Sequence, residues 1–503
     1  MQIRPRLTRA VRERMPLDPL NEDRFYTPVE DKHRETRAEL LAVLATSQDP
    51  EAAWNAYSAL MALPRFQDRL LIPWQHLHRF SRLIASVRPR TRVYFSRLLS
   101  VLYTIHRTGG TVHLWQWNVL VDFAGKGWRK TTPENFRAAL DVYHDLVSNK
   151  APGASFSKTP DNPGASEGDF VKALLEPDIW TLTTLLNIAI STFERRSVRH
   201  AAALLENSGQ QPTAVTYLSY IRYYTKLNRL IGVRSVLAQM VSNNMELGLD
   251  GTNACIWAFG RNNRVDIAEK IYQVLRSNMS EEPNPHAEKL RDQLAKDNIY
   301  VARNLVPDHI TYTCLVQIYA YRGHFTECLA VFMDMIHALD SPDAETPGTD
   351  HDRARLYLPV YRAIFIGFVH HGNTPRVAHS TAAFASGTQT LTSSMLSADP
   401  TAWSLGALES LFTEFLGIPH GTKPTENLFY WILTAFAKTS GEDKHKLREV
   451  FERLEARFHR RWWGGRMRKL RKAVFEPGKF SPEELTWGDA EAALEDVDGD
   501  STD

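Results

Sequence analysis

The chain has 503 residues, a mass of 57.3 kDa and 60 Lys and Arg against 58 Asp and Glu, a formal net charge of +2. At 43% hydrophobic and 23% charged residues it has the composition of a folded chain with a large apolar core, which excludes gross disorder and a uniformly cationic protein. Its length exceeds what one compact core supports, so two to four globular domains or an elongated repeat array are expected.

In chain order, residues 1–30 open with Arg4, Arg6, Arg9, Arg12 and Arg14 against one early acid, Glu13, and place Ile3, Leu7 and Val11 on one helical face. This reads as a mitochondrial targeting segment, the alternative being a solvated basic tail. Glu51 to Leu63 shows helical periodicity. Arg65 to Arg107 holds nine arginines and one acid, Asp68, with Trp74, Phe80, Tyr94, Phe95 and Tyr103 interleaved. Cations neutralise phosphates and rings stack on bases, so Arg88, Arg90 and Arg92 are candidates for contact with a nucleic-acid backbone. The alternative is a solvated helix face over core aromatics. A helical hairpin is expected over Trp115 to Leu146, turning at Gly125-Lys126-Gly127, with Lys126, Arg129 and Lys130 as further phosphate candidates.

Beyond it a period emerges. Pro177-Asp178 is followed 35 residues later by Pro212-Thr213, and Pro307-Asp308 is followed 35 residues later by Pro342-Asp343; Pro424-Thr425 is a fifth instance. Proline cannot continue a preceding helix, and the Asp or Thr beside it accepts hydrogen bonds from the free amides opening the next. His309 to Ile336 is the clearest unit. Tyr312, Leu315, Val316 and Tyr319 share one face, Gly323 makes a turn, and Cys328, Leu329, Phe332 and Met335 line a second helix. Further hairpins are read at Gly251 to Leu275, turning at Asn262-Asn263, and at Asn427 to Leu454. Ser148 to Glu176, Pro283 to Val306, Ala344 to Arg355 and Asn373 to Pro400 interrupt the period as loops or insertions. The most apolar window, Tyr357 to Val369, is broken by Arg362 well short of the roughly 18 to 20 residues that span a bilayer, so no membrane span is expected. Arg457 to Lys472 carries eight cations and no acid around Phe458 and Trp462-Trp463; Arg460, Arg461, Arg466, Arg468 and Lys469 are its backbone-contact candidates. Ser481 to Asp503 holds nine acids and no Lys or Arg, the composition of a disordered tail. The near-neutral total is local cancellation.

A lone hairpin cannot cover its apolar face, so such units must stack. The expected fold is all-α, with residues 31–480 forming an α-solenoid, a superhelix of about ten helix-turn-helix repeats of about 35 residues.

The 35-residue period, the Pro-Asp boundary, the Thr311-Tyr312 opening and Gly323 at the turn resemble the pentatricopeptide repeat family, with His309 to Asp343 the strongest match. No Trp-x-x-Leu-Gly-x-x-Tyr signature of tetratricopeptide hairpins is present. The resemblance implies a right-handed superhelix that binds single-stranded RNA, usually in mitochondria or chloroplasts, for RNA processing, stability or translation. In the family the residue after Thr-Tyr and the last residue of the repeat contact the base edge. Here that pair is Thr313 and Asp343, a combination that favours guanine in the family; Thr183 with Thr213, Leu218 with Gly248, and Asn253 with a partner near Pro283 are the equivalents, and Asn118 holds the same place. Leu218 offers no base-edge hydrogen bond. Arg362 joins these candidates. The acidic residues 481–503 could on this reading fold back on the basic stretch before them and compete with RNA.

No enzyme is expected. His286-Ala-Glu288 matches half of a zinc deaminase motif, but no Cys-x-x-Cys exists. Gly125-Lys126-Gly127 lacks the rest of a phosphate-binding loop. Cys255, Cys314 and Cys328 form neither a disulfide framework nor a zinc knuckle. Neither a cofactor, a metal nor a catalytic residue is expected. The expected protein is a monomeric mitochondrial matrix RNA binder, with the mitochondrial ribosome or RNA-processing proteins as further partners. The competing reading is a helical-repeat scaffold that binds proteins during organellar ribosome or respiratory-complex assembly.

Overall fold

The computed structural model describes residues 28–63, 72–127, 130–156, 175–280, 284–340, 350–373, 403–419, 422–458 and 465–475. These form twenty α-helices and one short 3-10 turn, with no strand among the described residues. The chain divides into two compact units, residues 1–201 and 202–503.

The first unit holds α1 (Pro28–Thr46), α2 (Pro50–Ala62), α3 (Trp74–Ala85), α4 (Arg92–Arg107), α5 (Leu114–Ala124), α6 (Pro133–Val147) and α7 (Ile179–Ser191); α8 (Arg195–Asn207) contains the division. The second holds α9 (Ala214–Lys226), α10 (Leu230–Ser242), α11 (Gly248–Arg261), α12 (Val265–Ser277), α13 (Pro285–Ala295), α14 (His309–Arg322), α15 (Phe325–Asp340), α16 (Asp350–His371), α17 (Leu405–Leu416), α18 (Glu426–Thr439), α19 (Lys444–Phe458) and α20 (Gly465–Phe475).

Helix starts follow the chemistry read from the sequence. Asp178, Thr213, Asp308 and Thr425 each sit at an N-cap behind a proline and accept from a backbone amide three residues on. The turns need left-handed backbone, supplied by Asn228, Asn263 and Gly323.

In the second unit the first helices of successive hairpins, α9, α11, α14, α16 and α18, pack each on the next, and the second helices flank them. α18 is buried nearly all round, from Leu428 to Ala437, as a central helix must be. The ends of this row are pinned. Arg322 donates to the carbonyls of Gly260 and Arg261, the His371 ring contacts the Tyr321 carbonyl at 2.8 Å, and Lys438 Nζ donates to Val369 and His370. Each satisfies carbonyls left open at a neighbouring helix's C-terminus. In the first unit α5 packs on α7 in the same way, and Arg79 of α3 caps the end of α1 through Leu44, Thr46 and Ser47.

Two stretches read as loops contain helix. Pro283 to Val306 contains α13, which packs on α12 beside the row, and residues 350–355 of the stretch Ala344 to Arg355 belong to α16, residues 344–349 lying outside the described residues. Nine consecutive helix pairs are described, with α13 and α20 outside them, against about ten hairpins expected. No described helix is long and apolar enough to cross a membrane. Residues 1–27 and 476–503, with the targeting and acidic-tail readings, lie outside the described residues.

Candidate nucleic-acid interface

At the α5–α7 junction, Asp178 caps α7 by accepting from the Thr181 amide at 2.8 Å. Asn118 of α5 reaches this cap: its Nδ2 donates to Asp178 Oδ1 at 3.0 Å, and its Oδ1 accepts from Thr181 Oγ1 at 2.5 Å. The cluster lies in an open cavity of about 400 Å³ lined by Arg90, Trp115, Asn118, Asp122, Asp178 and Trp180 among others. Trp180 is 64% exposed, and the Arg82 guanidinium lies 5.7 Å from the Trp115 ring. An exposed indole, that of Trp180, beside a hydrogen-bonding amide and carboxylate can stack on a planar base while they meet its edge.

The α11–α14 junction repeats the arrangement. Asn253 Nδ2 donates to Asp308 Oδ1 at 3.1 Å, and Thr311 Oγ1 donates to Asn253 Oδ1 at 2.7 Å. Asn253 is thus hydrogen-bonded to Asp308, 55 residues on, while residues 281–283 lie outside the described residues. The intervening chain is spent on α12 and α13, so the next first helix arrives late in sequence but adjacent in space.

The other base-edge candidates are placed differently. Thr313 Oγ1 donates to its own helix at His309 O, 2.7 Å, so its proton is used locally, and Asp343 lies outside the described residues. Thr213 serves as the N-cap of α9, Thr183 is buried, and Arg362 is half-buried on α16. Leu218 packs near Gly251 of α11.

The basic segments divide into structural and exposed cations. Arg90 forms an ion pair with Asp122, and burial, with Arg88 nearby, lowers its pKa to about 10, leaving it charged. Arg97 grips Glu51 with both ends of its guanidinium, at 2.6 and 2.9 Å, and lies over Trp54. Both are held within the framework by these pairs, and Arg90 also lines the α5–α7 cavity. Arg88, Arg92 and Lys130 are exposed; Lys126 is exposed and lies 3.8 Å from Asp122. In the C-terminal segment Arg457 donates to the Leu416 and Ile418 carbonyls, and Arg471 lies 3.4 Å from Glu455. α20 buries Met467, Leu470 and Val474 and exposes Arg468 and Lys469. Arg129, Arg460, Arg461 and the side chain of Arg466 lie outside the described residues.

Cys255 and Cys328 are buried, and desolvation raises the pKa of the Cys255 thiol to about 12. Among the described residues no group of three or more His, Cys, Asp or Glu is placed to hold a metal ion.

The PPR repeat family matches at residues 310–338, which is α14, its turn and most of α15. No curated protein matches. The crystal structure of the pentatricopeptide repeat protein PPR10 from maize is similar at 13% identity, with a TM-score of 0.28, over 85% of this chain and 59% of that one. PPR10 in complex with an 18-nt psaJ RNA element is similar at 13% identity, with a TM-score of 0.27, over 93% of this chain and 70% of that one. The chain thus spans about three-fifths of the length of the first of these structures. With helix following helix in paired packing and a family match on its clearest hairpin, the chain is an all-α helical-repeat protein that carries a pentatricopeptide repeat.

Proposed function

We propose that this protein binds single-stranded RNA, meeting base edges at the junctions between successive first helices and phosphates through exposed cations. The observation that carries the reading is the α5–α7 junction, where Asn118 and Asp178 line an open cavity with Trp115 and Trp180. After the Asn118–Asp178 hydrogen bond, one amide N–H and the Asp178 Oδ2 remain for a ligand edge. Repeats of the matched class read about one base each through two or three side chains. Arg88, Arg92, Lys130, Arg468 and Lys469 would supply sequence-independent attraction.

The finer reading is a mitochondrial protein that acts in mRNA processing, stability or translation by occupying a transcript segment. Five arginines against one acid within residues 1–16 support the compartment. The test is crosslinking of protein to RNA in cells with sequencing of what is held, alongside imaging of the full-length protein. Enrichment of a mitochondrial transcript segment is expected; recovery of protein partners alone would sink the RNA reading.

The scaffold reading has one observation in its favour. An open pocket of about 480 Å³ beside the chain after α13, lined by Leu237, Met240, Met245, Leu247, Val301 and Leu305 among others, is largely apolar, and Tyr300 at its edge is 56% exposed. Such a surface suits an apolar side chain of a protein partner.

A further inference from the structure

Thr181 and Thr311 each do two jobs. Each closes a capping box with the aspartate three residues before it, and each donates its hydroxyl to an asparagine of the preceding first helix. The second job sets the direction of an amide. A side-chain amide has two near-isosteric ends, and which end points where is decided by its hydrogen-bond partners. At both junctions the nitrogen faces a carboxylate oxygen, at 3.0 and 3.1 Å, and the oxygen faces the threonine hydroxyl, at 2.5 and 2.7 Å.

The hydroxyl proton has two acceptors in reach. Oδ1 of the capping aspartate lies 2.8 Å from the Thr Oγ1 at both junctions, but it already accepts from the Thr backbone amide and from the Asn Nδ2. The Asn Oδ1 has no other donor among these contacts. The proton therefore belongs on the Asn oxygen. Both threonines are fully buried, at 0% exposure, so water cannot take over the task. Turning the amide over would set its oxygen against the carboxylate.

We infer that Thr181 and Thr311 are positioning residues that fix which end of the Asn118 and Asn253 amides faces a bound base, so that the two junctions select the same base. This rests on the RNA reading above. At the α5–α7 junction the selected edge meets one amide N–H and one carboxylate oxygen beside the open cavity; at the α11–α14 junction the same hydrogen bonds are made by an Asn253 that is 4% exposed. The Thr213–Thr216 box of α9 shares the capping chemistry, but the second threonine's contacts there involve no asparagine amide among the hydrogen bonds described.

The test uses the full-length protein and three 20-nt oligomers, (rU)20, (rC)20 and (rA)20, with affinities from fluorescence anisotropy at one salt concentration and thermal unfolding in parallel. The wild type is expected to rank the three oligomers, and Thr181→Val with Thr311→Val is expected to compress the spread between best and worst by about 5-fold. Thr181→Ser with Thr311→Ser, which keeps both hydroxyls, is expected to restore it. If the Val double variant lowers the melting temperature while the ratios between oligomers stay at wild-type values, the threonines are caps only and the inference is overturned. If the double variant does not fold, Thr181→Val alone, which leaves the second junction intact, is expected to give about half the compression on a logarithmic scale, and wild-type ratios in it overturn the inference. A wild type that binds all three equally, or none, overturns the base-reading itself, and this is seen before any variant is made.

Discussion

Gly260 of α11 receives Ile318 of α14 so closely that a Cβ added to the glycine would overlap three carbons of the isoleucine. Gly125, the C-cap residue of α5, receives Ile188 of α7 in the same way. Seven residues before each glycine stands the asparagine of the polar cluster, and seven before each isoleucine stands the capping threonine. The α5–α7 and α11–α14 contacts are one interface built twice, with a polar clasp toward the start of the helices and a glycine seat two turns further on.

The seat should not tolerate a side chain. Gly260→Val is expected to lower unfolding free energy by about 2–3 kcal/mol, because a β-branched residue must displace Ile318 from a packed core. Gly406 in α17, where a Cβ would meet nothing within 4 Å, is the control: Gly406→Ala should stabilise by about 0.5–1 kcal/mol. Urea unfolding of the two variants checks both signs.

The clasp should matter to ligand more than to fold. Asn118→Leu copies what α9 already carries at Leu218 and leaves Asp178 capping α7 through the Thr181 amide. RNA affinity is expected to drop about 10-fold, with a stability loss of about 1 kcal/mol. Equal affinity for wild type and variant would remove Asn118 from the interface.

The two kinds of arginine can be separated by salt. Replacing Arg88, Arg92 and Lys130 by alanine should flatten the dependence of log Kd on log salt by about 0.7 for each phosphate no longer neutralised, about 2 in all. Arg97→Ala, which frees Glu51 and uncovers Trp54, should lower the melting temperature and leave that slope unchanged.

Acid should weaken the first unit through His78. Burial, together with the charges of His113 and Arg82, holds the His78 pKa below its ordinary 6.5. Buried Gln116 fixes the tautomer: its Oε1 accepts from the His113 amide, so its Nε2 donates to Ser81 and to His78 Nδ1. The unfolded chain takes up a proton near pH 6.5 and the folded chain only at lower pH. This contribution to stability is therefore full above about pH 7 and declines as pH falls through 6.5 toward the folded value. A melting temperature that falls between pH 7.5 and 5.5, and falls less in His78→Ala, is the expected result.

Much of the fold was legible because each helix start states its own chemistry: Pro-Asp or Pro-Thr, then an apolar helical stripe, then Asn or Gly at the turn. The asparagines of the clasp were legible as positions, but their partners were not. Asp178 lies 60 residues from Asn118 and Asp308 lies 55 from Asn253, beyond inserted chain that a 35-residue period does not anticipate. A signal did exist: Asn-x6-Gly in one helix answered by Asp-x-x-Thr-x6-Ile at the start of a later one. The arginine cluster was legible as charge, but the partners that convert Arg90 and Arg97 to framework, Asp122 and Glu51, lie outside it in sequence. Thr313 is legible as a hydroxyl at the expected position, but not that its proton is bonded one turn back, to the His309 carbonyl.

α13 has a consequence for how this chain can vary. It is lodged beside the row of first helices, on α12, so α11 and α14 still meet directly, through the Asn253–Asp308 clasp and the Gly260 seat. Linear distance along the chain is therefore a poor ruler for neighbourhood in it. Whole elements can enter or leave between second and first helices while the junctions keep their geometry, and kinship among such chains is better sought in matched pairs of helix faces than in a fixed repeat length.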